Sequence, residues 1–257
     1  MILFFTIVFA LAIGSFLNVC IYRMPQEKSV VMPRSFCPKC KHIIPIYDNI
    51  PILSFIVLGG KCRFCKERIS VRYLIVELLT ALTFVTLVTQ LGLSITTIIY
   101  IILSCGLIVA TFIDFEHQII PDEITYGGMV LGLIASVAFP QLHDTANRLH
   151  ALFFSFIGLL TGGAIIYLTG VAGKLIFKKD AMGGGDVKFL AMIGAFLGFS
   201  NAIFIYFLAP FFGSVVGIIA KIKFKADIIP YGPYLSLATF IVIIWGDKIM
   251  RILFPYL

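Results

Sequence analysis

Long apolar runs dominate this chain and restrict it to a narrow set of folds. A bilayer-crossing helix needs roughly 20 apolar residues. Windows of that character fall near Ile2 to Tyr22, Tyr73 to Leu93, Ile95 to Ile113, Ile124 to Phe139, Leu149 to Phe177, Phe189 to Leu197, Ala202 to Ala220 and Tyr231 to Trp245. Inside lipid every backbone N–H and C=O must be satisfied internally, so such runs become helices. Only 13% of the 257 residues are charged and 60% are hydrophobic, which excludes a soluble globule of this length. The sixth window is short and reads as a broken or tilted helix. The expectation is an all-α polytopic membrane protein, a bundle of seven to eight transmembrane helices. No basic residue precedes the first window and Arg23 follows it, so it reads as a permanent anchor and not as a cleaved signal. No convincing internal repeat is visible.

Charge then orients the bundle. The stretch from Arg23 to Arg72 carries ten of the twenty Lys and Arg residues against three acids, a net +7 that equals the formal excess of the whole chain. Lys and Arg collect in cytoplasmic loops. This loop is therefore expected in the cytoplasm, with the N-terminus outside. Counting crossings forward returns Asp114, the Lys174, Lys178 and Lys179 cluster with Asp186, and the Lys221, Lys223 and Lys225 cluster to the same side. The basic balance reports membrane orientation and gives no reason to invoke nucleic acid. Three segments follow: an anchor over 1–22, a cytoplasmic loop over 23–72 and a transmembrane domain over 73–257.

The loop carries two Cys-x-x-Cys knuckles, Cys37-Pro38-Lys39-Cys40 and Cys62-Arg63-Phe64-Cys65, with 21 residues between them. Four thiolates suit tetrahedral zinc, and a loop too small to build its own core gains order from a metal. Disulfides are the alternative, disfavoured where thiols are kept reduced. Four cysteine ligands leave no coordination position for water, so a structural and not a catalytic zinc is expected. Cys20 and Cys105 lie inside apolar windows and read as small core residues.

Chemistry is better sought among the acids, because an ionisable group at membrane depth is a functional candidate. Asp186 follows the glycine run Gly183-Gly184-Gly185, where absent side chains would let an extended peptide approach. Asp114 ends the third window on the same expected face. Two close aspartates share a proton, so that one acts as base on water while the other donates to a carbonyl. The plainer alternatives are that Asp114 caps a helix end and that Asp186 pairs with Lys188 or His117. Glu116, His117, Asp122 and Glu123 sit at a helix start opened by Pro121 and read as supporting residues. Glu77 either snorkels to the interface or contacts a polar ligand. There is no Gly-x-Ser-x-Gly elbow, His-Glu-x-x-His pair or nucleotide-binding glycine motif. A transporter that binds cations at these acids and a zinc-loop scaffold are the competing classes.

Taken together, the chain closely resembles the bacterial type IV prepilin peptidases, bifunctional leader peptidases and N-methyltransferases. The resemblance is carried by Gly14-Ser15-Phe16-Leu17-Asn18-Val19 with Ile21-Tyr22-Arg23, the paired cysteine knuckles and Asp48-Asn49-Ile50-Pro51. It continues through Ile69-Ser70-Val71-Arg72-Tyr73 with Glu77, Ile113-Asp114 with Pro121-Asp122, the Gly183 to Lys188 run and Ile229-Pro230-Tyr231-Gly232-Pro233. It implies a Gly-x-Gly-Asp intramembrane aspartyl protease of the bacterial cytoplasmic membrane that cuts the basic leader from prepilins and pseudopilins. It further implies methylation of the new N-terminal residue with S-adenosylmethionine, Asp114 and Asp186 at the catalytic positions, and Cys37, Cys40, Cys62 and Cys65 at the metal positions. One departure is Leu74, where the family commonly has proline. The methyltransferase half rests on the resemblance alone, and its cofactor residues stay unassigned.

Overall fold

The computed structural model describes residues 1–178, 182–224 and 230–253. Lys179, Lys225 and Ile229 lie outside the described residues, as do the side chains of Lys221 and Lys223. Two compact units emerge, Met1–Gly92 and Leu93–Leu257.

The first unit pairs α1 (Ile2–Arg23) with α3 (Arg72–Leu91), and between them the chain forms the cysteine loop with two 3-10 turns, Met24–Gln26 and Ile46–Asn49, and the short helix α2 (Leu53–Val57). The two long helices approach closely because Gly14 faces α3: a Cβ there would lie 2.9 Å from Glu77 Cα. Small residues at such contacts replace the hydrophobic driving force that lipid cannot supply. Arg23, buried at the end of α1, donates to the carbonyls of Ser29 (3.0 Å) and Pro33 (2.8 Å), folding the loop back onto the helix end.

The second unit contains α4 (Ile95–His117), α5 (Asp122–Ala138), α6 (Arg148–Phe177), α7 (Gly184–Phe224) and α8 (Gly232–Leu253). Its core gathers Leu107, Ile166, Phe189, Leu190, Ile193 and Leu235. Helix α4 starts where the Ser94 hydroxyl accepts the Thr97 N–H (3.1 Å), and α6 where Asn147 accepts from Leu149 (2.9 Å). These are standard side-chain caps for otherwise orphaned donors. Helices α6 and α7 meet through glycines, since a Cβ on Gly158 would stand 2.1 Å from the Gly194 carbonyl oxygen. The hydroxyls of Ser155, to the Ala195 carbonyl (2.6 Å), and Thr169, with Tyr206 (2.7 Å), cross the same contact.

Among the described residues the fold is helical without strands, apart from two isolated antiparallel bridges in the cysteine loop. Among the described residues five helices, α1, α3, α4, α6 and α7, contain stretches long and apolar enough to cross a membrane. Helix α5 has 17 residues, and in α8 the apolar part is Gly232–Gly246. The sixth and seventh apolar windows belong to one element, α7, broken at Gly198 (φ 78°), whose backbone lies in the region that glycine alone adopts without strain.

Candidate active site and metal centre

Asp114 lies in the last turn of α4 and is 6% exposed. Its Oδ2 accepts the backbone N–H of Gly232 at 2.9 Å, at the start of α8, where helix N–H groups lack intrahelical partners. A side chain at that donor would displace the carboxylate, because a Cβ on Gly232 would fall 2.8 Å from Asp114 Oδ2. The Ser236 hydroxyl, one turn on, reaches the Leu107 carbonyl (3.4 Å) and further ties α8 to α4.

Asp186 enters from the first turn of α7, and its Oδ2 accepts the Gly183 N–H at 3.3 Å. The two carboxyl groups are close enough to interact electrostatically. Ile120 bridges their surroundings: Cβ atoms placed on Gly185 and on Gly232 would each touch it, at 3.4 and 3.3 Å. The lysine two residues after Asp186 does not neutralise it. Lys188 pairs instead with Asp122 at the start of α5 and lies over the Tyr126 ring (5.2 Å). Asp122 thus ties α5 to α7, and Glu123 joins it in an acidic first turn. Like charges brought close together resist ionising at the same time.

Gly183 and Gly184 are exposed, and a Cβ on Gly184 would meet nothing within 4 Å. Tyr231 is the residue that pattern reading passed over. Its hydroxyl is buried and has no hydrogen-bond partner among the described residues, and it interacts electrostatically with Tyr206 and, less strongly, with Asp186. The one signal for it is its place beside Gly232 in Pro230-Tyr231-Gly232-Pro233.

In the first unit the four cysteines converge, with the ligand atoms of Cys37, Cys40, Cys62 and Cys65 all within 4.8 Å of one another. Cys37 and Cys65 sulfurs lie 3.8 Å apart, about the edge of a zinc–thiolate tetrahedron built on Zn–S bonds of about 2.3 Å. The knuckles repeat the same turn 25 positions apart. Lys41 N–H bonds the Cys37 carbonyl and Lys66 N–H that of Cys62; Cys37 N–H bonds the His42 carbonyl and Cys62 N–H that of Glu67. Lys41 and Lys66 share positive φ values of 60° and 57°. This local repeat escaped the sequence because the paired bridges, Phe36 with Ile43 and Lys61 with Arg68, join dissimilar residues.

The backbone N–H of Cys65, with that of Phe64, pulls the Cys62 thiol down to about 7 despite some desolvation. Cys65 moves the other way, to about 11: the Glu67 backbone favours its thiolate, but desolvation and the Cys62, Cys40 and Cys37 sulfurs outweigh it. The Cys62 thiolate therefore forms readily while that of Cys65 resists, a repulsion that a divalent cation would cancel. Asp48 and Arg63 brace the loop at 2.6 Å, and the guanidinium holds the Asp48 carboxyl below its usual range.

Glu77 does not snorkel. It is 7% exposed, and its Oε2 accepts the Ile52 N–H at 2.8 Å, with the Ser15 hydroxyl also hydrogen-bonded to it.

Comparison with known proteins gives two family matches. Residues 8–91 match the family described as the bacterial peptidase A24 N-terminal domain, and residues 101–218 match the type IV leader peptidase family. Among curated proteins, the prepilin leader peptidase/N-methyltransferase of Aeromonas salmonicida (strain A449) is 34% identical over 97% of this chain and 93% of its own length. The protein of the same name from Pseudomonas aeruginosa is 35% identical over 96% and 91%. That of Myxococcus xanthus is 39% identical over 84% of this chain and 62% of its own length. No solved structure matches.

Proposed function

Since this chain belongs to the type IV leader peptidase family, we propose that it is a membrane-embedded aspartic endopeptidase that removes the leader of type IV prepilins and pseudopilins. It then N-methylates the new N-terminal residue, as the names of its relatives indicate, with S-adenosylmethionine as methyl donor. The observation that carries the peptidase reading is the interacting pair Asp114 and Asp186, neither neutralised by the adjacent Lys188.

In this reading the pair shares one proton. The ionised carboxylate takes a proton from water, whose oxygen attacks the scissile carbonyl carbon, while the protonated partner donates to the carbonyl oxygen. Collapse of the tetrahedral species breaks the C–N bond as the amide nitrogen is protonated, leaving a leader carboxylate and a free amine. Gly232 holds Asp114 through its N–H, and the unpartnered Tyr231 hydroxyl is the donor available to the developing oxyanion. The open face of Gly184, with the exposed Gly183 before it and Gly185 behind, leaves room for the extended backbone of the substrate.

The loop's +7 charge supports a cytoplasmic placement of the cysteine loop, and the positive-inside count supports an active site facing the cytoplasm of the bacterial inner membrane. The four converging cysteines fit a structural zinc, held by Cys37, Cys40, Cys62 and Cys65, which orders the loop. For the methyl donor the first unit offers an orphaned buried acceptor, Asn18 Oδ1, whose amide is tied to the Tyr73 carbonyl one turn before the buried Glu77. When bound, that cofactor supplies an activated methyl group. Incubation with a prepilin-derived peptide, followed by mass spectrometry, tests the whole reading: loss of the leader and gain of one methyl group are expected. A transporter or scaffold would leave the peptide unchanged.

A further inference from the structure

Leader cleavage leaves unused a buried polar cluster in the first unit. Asn18 is 1% exposed on α1, one turn beyond the Gly14 contact with α3. Its Nδ2 donates to the carbonyls of Gly14 (3.3 Å) and Tyr73 (3.0 Å). Both partners are acceptors, so the amide orientation is fixed and Oδ1 has no partner among the described residues. On the facing helix, Glu77 stands one turn after Tyr73. Its known partners, the Ile52 N–H and the Ser15 hydroxyl, are neutral.

The Ile52 N–H reaches Glu77 from a strained turn. Ile52 has φ 61° and ψ −53°, and Leu53 N–H closes back on the Pro51 carbonyl at 2.6 Å, a γ-turn centred on a β-branched residue. That conformation is rare and costly, and such strain persists where surroundings enforce it. Here it aims a backbone donor into the cluster, yet the cluster still has more acceptors than donors. Asn18 Oδ1 is buried with no donor among the described residues, and the partners of the Glu77 carboxylate, the Ile52 N–H and the Ser15 hydroxyl, carry no charge to balance it. Burying such groups is expensive unless they are paired. A partner that donates an N–H to Asn18 Oδ1 and brings a positive charge to Glu77 fits the description of a primary ammonium group.

We propose that Asn18 and Glu77 form an ammonium-binding site that serves methyl transfer, an inference that rests on the methyltransferase reading above. Two reactants of that step carry the group: the amino-acid end of the methyl donor and the newly released N-terminus of the pilin. The site lies wholly within the first unit, and its residues come from the Gly14 to Val19 and Tyr73 to Glu77 segments that the aspartate chemistry leaves idle.

The test uses the purified full-length protein, wild type and Glu77→Gln, which keeps an oxygen for the Ile52 N–H but removes the charge. Two ligand pairs separate the sources: S-adenosylhomocysteine against methylthioadenosine, which lacks the amino-acid end, and an already cleaved pilin peptide with a free against an acetylated N-terminus. In the wild type, one pair is expected to show an affinity that depends on the ammonium. In Glu77→Gln that affinity falls by roughly tenfold or more, the size of a charge-assisted hydrogen bond, with zinc content unchanged. Asn18→Ala is expected to weaken the same ligand. Wild-type affinities and normal methylation of the cleaved peptide in both variants would overturn the site while leaving the methyltransferase reading intact. A binding loss that tracks loss of zinc would also overturn it, since that reports loop disruption. A wild type that cleaves prepilin but neither binds these ligands nor methylates would remove the methyltransferase reading and the site together.

Discussion

Gly232→Ala is a small change with a calculable consequence. Gly232 is not among the positive-φ glycines, so alanine is compatible with its backbone. The new Cβ would lie 2.8 Å from Asp114 Oδ2 and 3.3 Å from Ile120 Cδ1. To reach ordinary contact at 3.4 Å, the carboxylate oxygen must retreat by about 0.6 Å or rotate, stretching its bond to the Gly232 N–H. Misplacing a reacting group by about 1 Å costs on the order of 100-fold, so this shift predicts roughly a tenfold fall in kcat for leader removal. The methyl group itself adds no backbone strain at the start of α8, and membrane insertion and thermal stability should stay near wild type. The assay is single-turnover cleavage of a prepilin peptide in detergent or nanodiscs, with Gly184→Ala alongside. Gly184 has open space where a Cβ would go, so its variant has no protein clash. Any loss it shows reports the substrate and should appear in KM. Gly232→Ala with wild-type kcat would refute the reasoning, because it would mean that the position of Asp114 does not matter to the reaction.

Further expectations attach to the other groups. Cys37→Ser removes one of four converging sulfurs, and the purified protein should lose its stoichiometric zinc, measured by elemental analysis; full zinc retention contradicts the metal site. In the metal-free loop the Cys62 thiol is lowered from 9.0 to about 7, so the order it contributes is complete above pH 9 and lost as pH falls through about 7. Ultraviolet thiolate absorbance should show a titration centred near 7, and a first midpoint near 9 would contradict that. Tyr231→Phe deletes only the unpartnered hydroxyl and should lower kcat on the order of 100-fold, the scale of a lost oxyanion donor, with little change in stability. Unchanged kcat would exclude Tyr231 from the reaction.

How much of this was legible in the sequence depended on range. Hydropathy alone located the helices, because lipid forces an apolar run to satisfy its own backbone, and the Cys-x-x-Cys spacing located the knuckles because a metal ligand set is local in pairs. Asp114 and Asp186 stood out because acids are rare in such runs. What stayed hidden was decided by partners far apart in the chain. The alternative in which Lys188 neutralises Asp186 fell only when Lys188 was found on Asp122. The choice left open for Glu77 closed only with the Ile52 N–H, whose γ-turn no propensity for isoleucine would suggest. Gly232 and Tyr231 gained meaning from a hydrogen bond and an electrostatic contact reaching α4 and α7. The division into short sixth and seventh windows had a local cause, the kink at Gly198, which interrupts one long element.

The central claim is that Asp114 and Asp186 act as one proton-sharing pair in leader removal. Its most direct test is the rate of prepilin cleavage by Asp114→Asn, Asp186→Asn and the double variant, each shown to be inserted and zinc-loaded. Residues that act as a unit lose function together, so each single change is expected to abolish cleavage and the double to be no worse than either. Near-normal cleavage by either single variant would contradict the account.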